Sequence, residues 1–196
     1  VDGVQLVTDV VIAGGGPSGL AAAIMARQAG LDVTVYEPRP FPVDKACGEG
    51  LMHPALETLA SLGIEDLPGI EFAGIRYVDG QQAAEGRFRY GPGRGVRRTV
   101  LQRALRDRAE TLGVTLIPRP LTDWRQTADH VEVEGSRARY LIAADGLNSP
   151  IRRALALDAP PKQPARLGLR RHFAVAPWSE FVEVYWAEHA EAYVTP

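Results

Sequence analysis

Three consecutive glycines fix what the start of this chain can be. Asp9-Val10-Val11-Ile12-Ala13 is short, apolar and largely β-branched, as a buried parallel strand should be, and it runs directly into Gly14-Gly15-Gly16-Pro17-Ser18-Gly19. The alanine-rich stretch from Ser18 to Gln28 follows, with Leu20, Ile24 and Met25 at helical spacing and Gly30 set to end a helix. Val33-Thr34-Val35-Tyr36-Glu37 reads as a second buried strand, so residues 9–37 form one βαβ unit. A G-x-G-x-x-G spacing between a strand and the helix it opens has a physical purpose. Gly14 permits the tight turn, Gly16 clears the backbone for a pyrophosphate, and Gly19 lets the helix pack on the strand. With Pro17 and Ser18 in the first turn, the helix N-terminus aims free N–H groups at the phosphates. A ligand-free glycine turn is the competing reading, but three glycines there would cost backbone entropy for no packing gain.

Glu37 stands about 20 residues beyond the first glycine, where an acid reaches an adenosine ribose. A 2′-phosphate would meet like charge there, so NADP is disfavoured in this half-site. A solvated strand-end acid is the plainer alternative for Glu37. FAD and NAD share such a half-site, and the fingerprint alone does not choose between them.

Pro38 to Gly50, with three prolines and two glycines, reads as an irregular connection of the kind that carries function. His53–Leu62 reads as a helix with Pro54 in its first turn and Gly63 as terminator. Ile75–Val78 and Arg87–Tyr90, with Asp79-Gly80 between, suggest inserted antiparallel strands. Leu101, Leu105, Ala109 and Leu112 mark an amphipathic helix over Arg98–Leu112, closed by Gly113 and followed by the strand Val114–Ile117. Thr122–Gln126 and His130–Glu134 read as hairpin arms, and Tyr140–Ala144 as another buried strand ending in Asp145-Gly146. Residues 166–175 and 181–186 read as longer exposed strands.

The 196 residues carry a net charge of −2, which gives no basic field for a nucleic-acid partner. Cys47 is the single cysteine, so neither a disulfide framework nor a metal cluster is expected, and a reducing cytoplasm fits. Leu20–Ala26, the longest apolar run near the start, falls far short of the roughly 18 residues of a membrane span, and no integral membrane segment is expected. His53, His130, His172 and His189 lack metal-ligand spacing and read as surface or packing residues.

Four features across the chain resemble the superfamily of FAD-dependent monooxygenases and geranylgeranyl reductases, whose fold is related to p-hydroxybenzoate hydroxylase. They are Asp9–Leu20 with its Pro-Ser-Gly; Lys45-Ala46-Cys47-Gly48-Glu49-Gly50-Leu51; Arg98-x-x-Leu101-x-x-x-Leu105; and Ala144-Asp145-Gly146-Leu147-Asn148-Ser149-Pro150-Ile151-Arg152-Arg153. The resemblance implies FAD as cofactor, NAD(P)H as reductant, and an α/β fold. That fold is a Rossmann-like FAD-binding βαβ domain with inserted antiparallel strands and the start of a β-rich substrate domain. On that pattern residues 1–160 form the FAD-binding domain, with a small β insert at about 71–92. Residues 161–196 begin the substrate-domain sheet.

The implied cofactor set is Gly14, Gly16, Pro17, Ser18, Gly19, Glu37, Pro38, Arg39, Lys45, Ala46, Cys47, Gly48, Glu49, Arg98, Leu121, Asp145 and Gly146. Arg98 would reach the ribityl or phosphate region, with Arg97 as a neighbouring decoy, and the main chain at Leu121 would meet adenine. Glycine backbone in the 45–50 loop can lie against a flat ring, while Lys45 and Arg39 add positive charge near phosphate. Cys47 has a competing reading as a small buried thiol, and Asp145 as part of an Asp-Gly turn.

No catalytic residue or metal ligand is assigned. Departures from the family are expected to matter: no later Gly-Asp ribityl motif precedes Pro196, and Ala192–Pro196, similar to the strand over the flavin, lacks the usual aromatic pair. The chain therefore reads as stopping inside the substrate-domain sheet. The halogenase W-x-W-x-I-P pattern finds no match. The expected function is hydroxylation or carbon–carbon double-bond reduction of an apolar aromatic or isoprenoid-like small molecule. A non-catalytic dinucleotide-binding module, or a fragment of a split flavoenzyme, is the alternative.

Overall fold

The computed structural model describes residues 6–159 and 166–196. In chain order the elements are β1 (Leu6–Ala13), α1 (Pro17–Gln28), β2 (Val33–Tyr36), β3 (Gly50–Leu51), α2 (His53–Ser61), β4 (Ile70–Phe72), β5 (Gly74–Asp79) and β6 (Gln82–Arg87). There follow β7 (Gly93–Gly95), α3 (Arg98–Thr111), β8 (Thr115–Ile117), β9 (Trp124–Gln126), β10 (Val131–Val133), β11 (Ser136–Ala143), α4 (Pro150–Ala154), β12 (Phe181–Trp186) and β13 (Glu191–Val194). The chain forms two compact units. One takes the described residues up to Val43 and those from Gln102 to 159; the other takes Asp44–Leu101 and Arg166–Pro196. The sequence boundary at 160/161 lies outside the described residues.

The first unit is built on a six-stranded sheet in the order β8-β2-β1-β11-β10-β9. The first four strands are parallel, and β10 and β9 add an antiparallel edge. This is the α/β arrangement the βαβ pattern implies. Val10, Val11, Ile12 and Ala13 are all buried, as a central strand covered on both faces requires. Leu20, Ala23 and Ile24 turn the inner face of α1 to the core, whereas Met25, one helical step past Ile24, is 59% exposed. Helix α3 buries Leu105 and Ala109 with Gln102, a polar residue that an apolar stripe does not reveal.

The second unit has a four-stranded sheet, β13-β12-β5-β6, and a small antiparallel sheet, β3-β7-β4. Strands 74–79 and 82–87 thus share one sheet with 181–186 and 191–194. Two expectations are corrected here. The second hairpin arm is Gln82–Arg87, not Arg87–Tyr90: every residue of β6 is exposed, so backbone pairing rather than an apolar face defines it. Residues 166–175 form no strand, because the apolar residues that suggested one have no ladder to join, and Leu167 and Leu169 are almost wholly exposed.

Candidate functional site

In the first unit, strand register brings the glycine turn beside the Asp145 turn. β1 and β11 are parallel with Ala13 opposite Ala143, so they end level, and the Ala144 N–H donates to the Ala13 carbonyl at 2.8 Å. Strand order reverses between them, with β2 on the other side of β1, which is where open α/β sheets bind ligands. Gly14 has φ +105°, and a Cβ on it would stand 2.3 Å from the Ala144 oxygen. A Cβ on Gly19 would stand 1.9 Å from the Gly14 oxygen. Packing demands both glycines. Gly16 is different. It is the N-cap of α1 with φ −72°, and a Cβ there would meet nothing within 4 Å. No side chain caps α1 and no acid occupies its first turn, so Pro17 and exposed Ser18 open the helix with positive polarity.

Glu37 sits just past β2 and is 2% exposed, not a solvated strand-end acid. Its Oε2 accepts the Gly15 N–H at 3.0 Å, and Arg39 donates its backbone N–H and Nε to Oε1 at 3.0 and 2.9 Å and its Nη2 to Oε2 at 3.1 Å. Burial pushes the carboxyl up, but the Arg39 side chain and the two backbone N–H groups outweigh it and hold Glu37 below the usual carboxylate range. Four donors fill the roughly four acceptor positions of a carboxylate, so any further donor would have to displace one of them, and the half-exposed guanidinium is the most accessible.

Two members of this arrangement escaped the sequence reading. Gly15 is required because a Cβ there would lie 2.9 Å from both Glu37 Cβ and the Phe41 ring. Gln102 Nε2 donates to the Gly15 carbonyl at 2.9 Å, while its buried Oε1 has no partner among the described residues. The four-residue step from Arg98 could have pointed to it, but glutamine on a buried stripe looks like a surface residue. Asp145 is half-buried and accepts the Ile151 N–H at 3.4 Å, next to Gly146 at φ +88°. Ser149 caps α4 by accepting the Arg152 N–H at 2.9 Å. Leu121 packs on the cluster of Val11, Tyr36, Val131, Val133 and Ala138.

In the second unit, Lys45, Ala46, Cys47 and Gly48 are exposed and Glu49 anchors the loop at φ +57°. Glu49 Oε1 accepts the Arg98 backbone N–H at 2.7 Å and Arg170 Nη1 at 2.8 Å, and Oε2 lies 2.6 Å from His172 Nε2. Arg170 also forks onto both oxygens of Asp44 at 2.7 Å, and Thr195 donates to the Gly48 carbonyl at 2.7 Å. Arg170, His172 and Thr195 were not legible as part of this loop, since they lie more than a hundred positions away. One reading is corrected and one extended. Cys47 is exposed rather than a buried thiol, and His172 is a surface residue, as read, but one that also hydrogen-bonds Glu49.

Beside this loop lies a cavity of about 550 Å³ lined by Glu49, Val96, Phe173, Trp178, Phe181 and Glu183 among others. Glu183 accepts Tyr185 OH at 2.7 Å and Trp178 Nε1 at 3.1 Å. The Tyr185 hydroxyl, opposed by burial and aided by Trp178 and Arg76, holds the Glu183 carboxyl below its usual range.

Residues 7–194 match the sequence family described as the FAD binding domain. The chain belongs to that family. Menaquinone reductase of Mycobacterium tuberculosis strain H37Rv is 34% identical over 162 residues, 75% of this chain and 40% of that protein. Dialkyldecalin synthase of Streptomyces rugosporus is 30% identical over 196 residues, 93% of this chain and 42% of the relative. The chain thus spans less than half the length of these curated relatives. Among solved structures, a probable FAD-dependent monooxygenase from Pseudomonas aeruginosa superposes with a TM-score of 0.76 at 18% identity, covering 96% of this chain and 57% of that one. A geranylgeranyl bacteriochlorophyll reductase-like protein from Thermoplasma acidophilum gives 0.70 at 22% identity, covering 96% and 53%. Both share the fold; the family match over residues 7–194 agrees with the superfamily read from the four motifs.

The first unit of this FAD-binding domain fits a dinucleotide on its own geometry. Open space over Gly16, an uncapped helix start and an adjacent Asp-Gly turn make a cradle that a single Cβ would fill. Among the described residues no group of three His, Cys, Asp or Glu side chains is arranged to hold a metal, and no helix is long and apolar enough to cross a membrane.

Proposed function

We propose that this chain is the flavin-binding portion of an NAD(P)H-reduced, FAD-dependent oxidoreductase acting on an apolar aromatic or isoprenoid-like molecule. The observation that carries the reading is the empty space over Gly16 at the start of α1, beside the reversal of strand order. Bound FAD supplies the redox chemistry. In the first unit, Gly14, Gly16, Pro17, Ser18 and Gly19 receive the pyrophosphate. Glu37, Pro38 and Arg39 receive the ribose, Leu121 offers main chain to adenine, and Asp145 and Gly146 orient hydroxyls. In the second unit, Lys45, Ala46, Cys47, Gly48 and Glu49 present backbone to the ring, and Arg98 adds positive charge. The largely apolar cavity beside Glu49 receives the substrate.

Between the two chemistries, double-bond or quinone reduction is favoured over hydroxylation. A menaquinone reductase from Mycolicibacterium smegmatis is 52% identical over 56 residues, and the Cys-Gly-Glu-Gly loop is reductase-like. The test is the visible spectrum of the purified chain after reconstitution with FAD and removal of unbound cofactor. A retained flavin band, bleached by NADH or NADPH without oxygen, supports the assignment; a colourless chain overturns it. A flavin that neither nucleotide bleaches would select a binding module without catalysis. Product formed only with stoichiometric oxygen uptake would return the reaction to hydroxylation.

A further inference from the structure

Gly15, in the middle of the glycine turn, is held from two sides. Its N–H donates to Glu37, just past β2, and its carbonyl accepts Nε2 of Gln102 at 2.9 Å from α3, 87 positions along the chain. Both residues are buried, and Gln102 is wholly inaccessible. The amide has only one workable orientation, since Oε1 turned to the Gly15 carbonyl would set two acceptors against each other. With Nε2 committed, Oε1 is buried without a partner among the described residues.

That arrangement does little for stability. The amide pairs one buried acceptor, the Gly15 carbonyl, and leaves another, its own oxygen, unpaired. An apolar side chain of similar size would leave the same number unpaired, so the core gains little from glutamine here. What the amide controls is direction. The Gly15–Gly16 peptide is trans, which puts the Gly15 carbonyl and the Gly16 N–H on opposite sides of one plane. Drawing the carbonyl inward to Gln102 therefore turns the Gly16 N–H outward, and that N–H meets no backbone acceptor among the described residues. Gly16 is the N-cap of α1, where an added Cβ would find nothing within 4 Å.

We propose that Gln102 is a positioning residue for the diphosphate of the bound nucleotide: by holding the Gly15 carbonyl it aims the Gly16 N–H at a phosphate oxygen. The inference rests on the glycine turn being the pyrophosphate site proposed above. Gln102 itself touches no ligand and acts through a single peptide plane.

The test is an NMR titration of the 15N-labelled full chain with ADP and with adenosine, which share base and ribose and differ in the diphosphate. The wild type is expected to bind ADP at least about tenfold tighter and to shift the Gly16 amide proton downfield, as a charge-assisted hydrogen bond from that N–H implies. In Gln102→Leu the preference should fall below about threefold and the Gly16 shift should vanish, while adenosine affinity and the urea unfolding midpoint stay at their wild-type values. Gln102→Met, unbranched and adaptable, repeats the measurement should the branched side chain not pack. A folded variant that keeps the preference for ADP overturns the proposal. So does one that loses affinity for both ligands equally, and so does unfolding of both variants, because either would make Gln102 a structural residue alone. If neither ligand binds the wild type, the nucleotide reading of the glycine turn falls, and the proposal with it.

Discussion

The two units shape their loops by opposite means. Around Gly14–Gly19 the constraint is steric and backbone-borne: added carbons at Gly14 and Gly19 would collide with main-chain oxygens, and strand register supplies the neighbouring turn. Around Lys45–Gly50 the constraint is ionic. One carboxylate, Glu49, collects a backbone N–H, an arginine and a histidine, and the loop is otherwise exposed. A shape enforced by close backbone contact tolerates no substitution, whereas one enforced by side-chain charge responds to pH, salt and single-residue exchange.

That contrast can be broken most sharply at Gly19. Gly19→Ala is expected to cost about 3 kcal/mol or more, because backbone rather than a flexible side chain occupies the space. Urea unfolding would measure it, and a midpoint near wild type would show that the turn yields. Gly16→Ala is the sharpening partner. With nothing within 4 Å of the new carbon, its unfolding midpoint should match wild type while flavin retention falls. Loss of stability without loss of flavin would reverse the roles assigned to the two glycines.

At the ionic loop, Glu49→Gln should cost about 2 kcal/mol, since hydrogen bonds to a charged group each contribute about 1.5–3 kcal/mol and the amide keeps some of them. Its effect should diminish in high salt, unlike that of Gly19→Ala. Equal salt dependence of the two variants would dissolve the distinction.

Smaller still is the acid response of the first unit. Glu134 accepts the backbone N–H groups of Thr122 and Asp123 and pairs with Arg119; the Thr122 N–H leads in holding its pKa down at about 2. Because the folded value lies below the ordinary one, its stabilising contribution is complete above about pH 4.5 and disappears as pH falls toward about 2. Glu37, also held low, adds a loss of the same sign. Unfolding midpoints across that window should slope less in Glu134→Gln than in wild type, and parallel slopes would remove Glu134 from the account.

What could be read before any coordinates follows the same line. Val10–Ala13, the glycine spacing and the terminators Gly30, Gly63 and Gly113 announce themselves because local backbone chemistry dictates them; all three terminators have positive φ. Glu37 was legible as the acid at the end of β2 near the glycine turn, but its arginine clamp was not, because nothing in a dipeptide step says that Arg39 folds back. Gln102 hid on a helix face where a polar residue normally meets water. The partners of Glu49 hid for a different reason: Arg170 and His172 lie in a stretch whose apolar spacing imitates a strand, and only tertiary structure shows that it runs as irregular chain. Strand β6, wholly exposed, carries no periodic signal of any kind.

The side-by-side pairing of β1 with β11 also dictates when the protein can form. Asp9 and Arg139, joined at 3.2 Å, are 130 residues apart along the chain, so β1, once synthesised, waits for one of its two neighbours until well over a hundred further residues have been made. During that interval β1 presents an open apolar edge of the kind that recruits other strands. Synthesis that pauses before Ala143 therefore exposes the chain to aggregation, and a ribosome that moves quickly through the codons for residues 115–143 would shorten that exposure.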